Sequence, residues 1–216
     1  MPHSASKPKT AFAESLWLAA HPWPPRKQKM YDPLDVISTL NNAKVRFVLV
    51  GAHGLAEWVD DPRQTQDVDF VVMNKHQKRA AEAVHRAYPE LEMEEHEVVV
   101  RFRNPETKKV VIDLIKQQAL YREVFKHAVE RTHGKTRFLI PCVELAIAMK
   151  FAAMLSPNRQ DEDKFQDAHD FMRVIKSNPN LDEAKLAHLG DLVFPGGGKR
   201  LLALVADVRA GRKLVL

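Results

Sequence analysis

The sequence has a single cysteine, Cys142, in 216 residues. One thiol makes no internal disulfide and no cysteine-based metal site. The chain also lacks any apolar run near the roughly 18 residues that suggest a membrane span. Ala11–Ala20 comes nearest to a secretory segment, and Glu14 interrupts it. The expected location is therefore the cytoplasm, with no membrane partner. Internal repeats are missing too. The ten histidines form no pair at metal-ligand spacing on one helix face. Gly196-Gly197-Gly198-Lys199-Arg200 fails as a P-loop, because Val193 and Arg200 stand where Gly and Ser or Thr are required. That run reads as a flexible loop before the last helix. Cys142 sits at a helix start, where a thiol pKa can be lowered, but no partner arrangement marks it as a nucleophile.

What is present is an ordinary globular composition with its charge unevenly spread. Of the net +5, residues 1–30 carry +4 (Lys7, Lys9, Arg26, Lys27 and Lys29 against Glu14). Residues 199–216 carry another +4 (Lys199, Arg200, Arg209, Arg212 and Lys213 against Asp207), which leaves −3 for the middle. Basic ends on a slightly acidic body suit a phosphate-rich partner such as RNA. The plainer alternative is a pair of solvated tails.

Residues 1–30 read as a basic arm, since His21-Pro22-Trp23-Pro24-Pro25 resists both helix and sheet. Asp32-Pro33 is an N-cap followed by proline at the first helical position, and Leu34, Ile37 and Leu40 give a short amphipathic helix. Val45–Val50 reads as a buried strand that ends at Gly51-Ala52-His53-Gly54. Asp67–Met73 reads as a strand, followed by a helix from Asn74 to about Tyr88. Glu97–Arg103 and Lys109–Ile115 form a hairpin pair. Residues 118–130 look helical, and Arg137–Ile140 look like a strand. Beyond Pro141 the pattern predicts helices at roughly 142–155, 161–176, 182–189 and 199–210. The expected class is α/β (α+β): a mixed sheet flanked by helices over residues 31–140, then a helical region over 141–216.

The chemistry concentrates in Arg63-Gln64-Thr65-Gln66-Asp67-Val68-Asp69-Phe70. Residues two apart in a strand share a face, so Asp67 and Asp69 project together while Val68 and Phe70 pack behind them. Two like charges about 7 Å apart repel, and a hard divalent cation such as Mg²⁺ removes the repulsion. Asp113 interrupts the apolar run Val110-Val111-Ile112-Asp113-Leu114-Ile115. A charge in such a place needs a cation, a hydrogen-bond partner or a shifted pKa. If the two strands are neighbours, the three acids can share metal ions; the alternative for Asp113 is a salt bridge to a nearby basic residue. The turn at Gly51 and Ala52 offers backbone N–H groups to an anion. His53 lies in that turn within reach of a substrate. Arg63 and Thr65 could contact phosphate or orient a carboxylate.

Taken together, Val50-Gly51-Ala52-His53-Gly54-Leu55-Ala56 and Arg63-x-Thr65-x-Asp67-Val68-Asp69-Phe70 resemble the signature of the DNA polymerase β-like nucleotidyltransferase superfamily. The chain looks most like its minimal branch, the proteins similar to the AbiEii toxin group. The resemblance extends through Pro141–Leu145, Lys150-Phe151-Ala152-Ala153, Arg159 and Asp167-Ala168-His169-Asp170-Phe171, and covers about residues 34–175. Ala52 departs from it, since many members carry Gly or Ser there. The resemblance implies a nucleotidyltransferase-type sheet and transfer of a nucleotide from a nucleoside triphosphate, with Mg²⁺ or Mn²⁺ held by Asp67, Asp69 and Asp113. It implies that Asp113 also helps deprotonate the attacking hydroxyl, and that Gly51 and Ala52 hold the β- and γ-phosphates. Lys150 would offset developing charge, and Asp167 or Asp170 would position Lys150 or Arg159. A plainer reading makes Lys150 a snorkelling surface lysine, and makes Asp167 and Asp170 helix-face partners of Lys164 and Arg173.

Three functions compete. The first is a nucleotidyltransferase acting on a hydroxyl acceptor, with an RNA 3′ end favoured by the basic ends and tRNA within that class. The family resemblance adds a toxin-like role and a cognate antitoxin protein as partner. The second is a non-catalytic nucleotide- or RNA-binding module on the same fold. The third is a metal-dependent phosphodiesterase, which also uses paired carboxylates but has no need of the glycine turn.

Overall fold

The structure is a computed structural model that describes residues 31–214. The basic arm expected over residues 1–30 lies outside them. The chain divides into two units: residues up to Gln117 with Glu130–Ile140, and Gln118–Val129 with residues from Pro141 onward.

Among the described residues the first helix of this unit is α1 (Pro33–Asn42), where Asp32 Oδ1 accepts from the Leu34 amide at 2.8 Å. Its stripe of Val36, Ile37 and Leu40 is fully buried. Strand β1 (Phe47–Leu49) runs into the five-residue helix α2 (Gly51–Leu55) and a 3₁₀ turn (Ala56–Trp58). Strand β2 (Val68–Val72) follows, then a 3₁₀ turn at Asn74–His76 and helix α3 (Gln77–Ala87). Strands β3 (Glu92–Glu95), β4 (Val99–Arg103) and β5 (Val110–Lys116) complete a five-stranded sheet in the order β1-β2-β5-β4-β3. β2 and β5 are parallel and the other neighbours antiparallel, so the sheet is mixed as expected.

One face of this sheet is apolar. Val68, Phe70, Phe102, Ile112 and Leu114 have no solvent exposure, and each such large side chain contributes about 1.5–3 kcal/mol by burial. Phe47 meets Phe70 edge to face at 5.3 Å. Alternation then puts Asp69 and Asp113 on the opposite face. Beyond the strand ends, Asn74 and Gln117 clasp each other. The Asn74 amide donates to Gln117 Oε1 at 3.1 Å, its side-chain nitrogen to the Gln117 carbonyl at 3.2 Å, and the Gln117 amide to Asn74 Oδ1 at 2.8 Å.

Two expectations differ from the structure. Residues 118–130 are not one helix. A 3₁₀ turn covers Ala119–Arg122, and strand β6 (Ala128–His133) then pairs with β7 (Thr136–Pro141) across Gly134, whose φ is +58°. The polar strand β3 escaped notice in the sequence.

The second unit is mostly helical: α4 (Val143–Leu155), α5 (Asp161–Ser177), α6 (Glu183–Asp191) and α7 (Gly197–Arg209). Phe151, Phe171 and Leu145 are fully buried at its centre. Gly197 and Gly198 open α7 instead of forming a flexible loop. A Cβ on Gly197 would stand 2.2 Å from the Gly190 carbonyl oxygen, and one on Gly198 2.2 Å from that of Ala187. The glycines let α6 and α7 approach backbone to backbone.

Candidate active site

The parallel pairing of β2 and β5 sets Asp69 directly opposite Asp113. Register partners point to the same face, so the two carboxylates meet on the polar side of the sheet. Asp67 lies one residue before β2, not within it as expected, and its charge is felt by Asp113. The Thr65 hydroxyl donates to Asp67 Oδ1, so Thr65 orients a carboxylate. Arg63 Nη1 donates to the Gln64 carbonyl at 3.4 Å, and its charge acts on His53.

Gly51 is fixed by this neighbourhood. Its φ is +62°, and a Cβ there would stand 1.9 Å from Asp69 Oδ2. Glycine is needed both for the backbone and for the carboxylate that fills the place of its missing side chain. The Val50 amide donates to the Asp69 carbonyl at 2.8 Å, which fastens the start of the turn to β2. Ala52 is buried behind it. His53 is 2% exposed, and its Nδ1 has no hydrogen-bond partner. Burial pushes its imidazole pKa down to about 4, against the pull of Asp67, and Arg63 lowers it further.

Arg101 is the site residue that sequence reasoning missed. It stands opposite Asp113 on β4, and its Nε lies 3.2 and 3.3 Å from the two Asp113 oxygens. The signal was partial: the alternation of Val99-Val100-Arg101-Phe102-Arg103 sets the arginines apart from the apolar side chains, and the register with β5 brings Arg101 to the acids. Burial raises the Asp113 carboxyl above the ordinary range, the Arg101 guanidinium draws it back, and the Asp67 charge adds to the rise. The basic partner that the sequence offered Asp113 as one alternative is therefore Arg101.

The donor chemistry suits a hard divalent ion, since Asp67, Asp69 and Asp113 offer only carboxylate oxygens. Among the described residues, however, no three His, Cys, Asp or Glu side chains are grouped closely enough to hold one together. Both oxygens of Asp113 are in contact with Arg101 Nε.

Lys150, Arg159 and Asp167 belong to the second unit and form their own cluster. Lys150 Nζ donates to Asp167 Oδ1 and Asp170 Oδ2, each at 2.8 Å. Arg159 Nε is 2.8 Å from Asp167 Oδ2, and Gln166 donates to Asp170 Oδ1 at 3.2 Å. Lys150 is buried, not a snorkelling surface lysine, and Lys164 pairs with Asp161 instead of this set. His169 is exposed on α5. The Cys142 thiol pKa is raised by burial, the reverse of an activated thiol.

No helix among the described residues is long and apolar enough to cross a membrane. No curated protein matches the chain. Among solved structures, it is similar to an antigenic nucleotidyltransferase-like protein from Paracoccidioides brasiliensis, at 16% identity over 84% of this chain and 92% of that one, with a TM-score of 0.48. It is similar to the lincosamide antibiotic adenylyltransferase LnuA, solved with lincomycin bound, at 12% identity over 68% and 99% of the two chains, TM-score 0.48. It also shares its fold with the antibiotic-resistance factor ANT(2'')-Ia, at 10% identity over 83% and 96%, TM-score 0.50. A family model described as nucleotidyl transferase AbiEii toxin, type IV toxin–antitoxin system, matches residues 38–209. With the match covering most of its length, this chain belongs to the AbiEii nucleotidyltransferase toxin family.

Proposed function

We propose that the protein transfers a nucleoside monophosphate from a nucleoside triphosphate to a hydroxyl acceptor, with an RNA 3′ end as the favoured acceptor and Mg²⁺ or Mn²⁺ as cofactor. The observation that carries the reading is the facing of Asp69 and Asp113 across β2 and β5, with Gly51 reduced to backbone against Asp69. Family membership supplies the reaction class and implies a nucleoside triphosphate as substrate.

Asp67, Asp69 and Asp113 would hold the divalent cation. When bound, the ion supplies Lewis acidity and neutralises phosphate charge. The residues of the chain do the positioning. Thr65 keeps Asp67 turned, Gly51 leaves room for Asp69, and the first turn of α2 offers N–H groups that have no intrahelical acceptor to the β- and γ-phosphates. Asp113, on the same face, accepts the proton of the attacking hydroxyl. His53, with its pKa near 4, remains a neutral hydrogen-bonding group at working pH. Lys150 and Arg159 supply positive charge in the second unit. In a toxin–antitoxin setting, a cognate antitoxin protein is the expected partner, and cytoplasmic RNA, including tRNA, the expected target.

The contact of Arg101 with Asp113 favours a second reading, a nucleotide- or RNA-binding module that does no chemistry. One experiment separates the two. The protein is incubated with each labelled nucleoside triphosphate, total RNA and Mg²⁺ or Mn²⁺, with Asp69→Asn as control. Label transfer that falls more than about a hundredfold in the variant supports catalysis, since loss of a mere outer-shell partner already costs 10–100-fold. Binding of nucleotide without transfer under either metal supports the module.

A further inference from the structure

Four charged residues stand in one row across four strands. Asp69 on β2 faces Asp113 on β5, Asp113 faces Arg101 on β4, and Arg101 faces Glu94 on edge strand β3. The row is acid, acid, base, acid, all on the polar side of the sheet. Its only cation lies against Asp113.

The contact is of an exchangeable kind. A strong arginine–carboxylate pair uses two N–H groups side by side. Here the single Nε–H reaches both Asp113 oxygens, at 3.2 and 3.3 Å. The Arg101 side chain keeps 35% of its surface exposed, so water can take over its hydrogen bonds. Arg103 points to the same side two residues on, but its Nε is committed to Glu94 at 2.8 Å. Arg103 acts on Asp113 only through its more distant charge.

We infer that Arg101 is a positioning residue that serves as the resident counter-cation of Asp113. It neutralises the carboxylate on the site face while no divalent ion is bound, and it surrenders both oxygens when the ion arrives. Two cations compete for the same pair of oxygens, so metal loading and the Arg101 contact exclude each other. A displaced Arg101 remains on the polar face as a cation suited to a polyphosphate. The inference rests on the proposed reading that Asp113 is a metal ligand.

The test is Mn²⁺ binding to the full chain at pH 8, followed through the free-ion electron paramagnetic resonance signal. Arg101→Gln should bind Mn²⁺ about tenfold more tightly than wild type, because the competitor is gone. Arg103→Gln should move the affinity much less. Equal or weaker binding by Arg101→Gln overturns the inference, as does an equal gain in Arg103→Gln, which would reduce the effect to net charge. If Asp69→Asn abolishes binding while Arg101→Gln leaves it unchanged, the inference fails and the metal reading stands. If wild type binds no Mn²⁺, both fail. A second measurement needs no variant: saturating Mg²⁺ should shift the Arg101 Nε–H resonance of the wild-type chain and speed its exchange with water. A resonance that stays in place overturns the inference.

Discussion

Each unit brings aspartates against basic side chains, and the two arrangements differ in how far they are closed. In the second unit, Asp167 and Asp170 keep 3% and 6% of their side-chain surface, and Lys150 keeps 11%. Their shared cation Lys150 is buried with them, while Arg159, which also meets Asp167, keeps 44% of its side-chain surface. In the first unit, Asp113 keeps 15% and its partner Arg101 keeps 35%. The same residue types therefore do different work. A sealed cluster rivets helices α4 and α5, because removing one charge strands the others away from water. A contact open to solvent is easily traded for another cation.

Breaking the sealed cluster should have the largest effect. Lys150→Met leaves Asp167 and Asp170 buried without their shared cation, and is expected to cost about 3–5 kcal/mol in a urea melt. A loss below about 1 kcal/mol would mean the two clusters do not differ.

The next effect belongs to His53. Its pKa falls from 6.5 when unfolded to about 4 when folded, so its contribution is complete above pH 6.5 and is lost as the pH falls toward 4. On the order of 3 kcal/mol of stability should disappear over that window in wild type. His53→Asn should flatten this part of the curve when melts at pH 7.5 and 4.5 are compared, whereas Lys150→Met should leave it unaltered.

Gly51→Ala follows. The positive φ and the collision with Asp69 should cost about 1–2 kcal/mol. The displaced carboxylate should also lower nucleotide transfer more than the modest change in melting temperature would suggest. The smallest effect sharpens the comparison most directly: Arg101→Gln should cost about 1 kcal/mol or less, as expected for a pair partly in water. A cost near that of Lys150→Met would show the first contact to be as structural as the second.

The acids were legible in the sequence because strand alternation assigns faces without knowledge of the fold. Asp69 and Asp113 each interrupt an apolar strand, and the register placed them together. The C-terminal helices were legible for the same reason, through their apolar period. Other features left misleading traces. Leu120 and Val124 are buried at helical spacing, yet they belong to turns whose hydrogen bonds run from Tyr121 to Gln118 and from Glu123 to Leu120. Strand β3, Glu-Met-Glu-Glu, shows no apolar alternation, and among the described residues it is an edge strand paired only with β4. The glycines at 197 and 198 look like a linker, since the sequence does not show the helix α6 that presses on them. Arg101 needed the hairpin register, which follows from how the turn after Arg103 closes; a β-bulge at Phe102 and Arg103 obscures that count.

The clasp between Asn74 and Gln117 has a consequence for parity. It pins β2 and β5 at one end, while the acids sit upstream of it on each strand. Insert one residue between Asp69 and Asn74, with the clasp intact, and Asp69 turns over to the side where Phe102 and Leu114 lie. Insert two, and it returns to its own side one step out of line with Asp113. The molecule thus counts odd and even along a few residues of chain, and any change of length there is read as on or off.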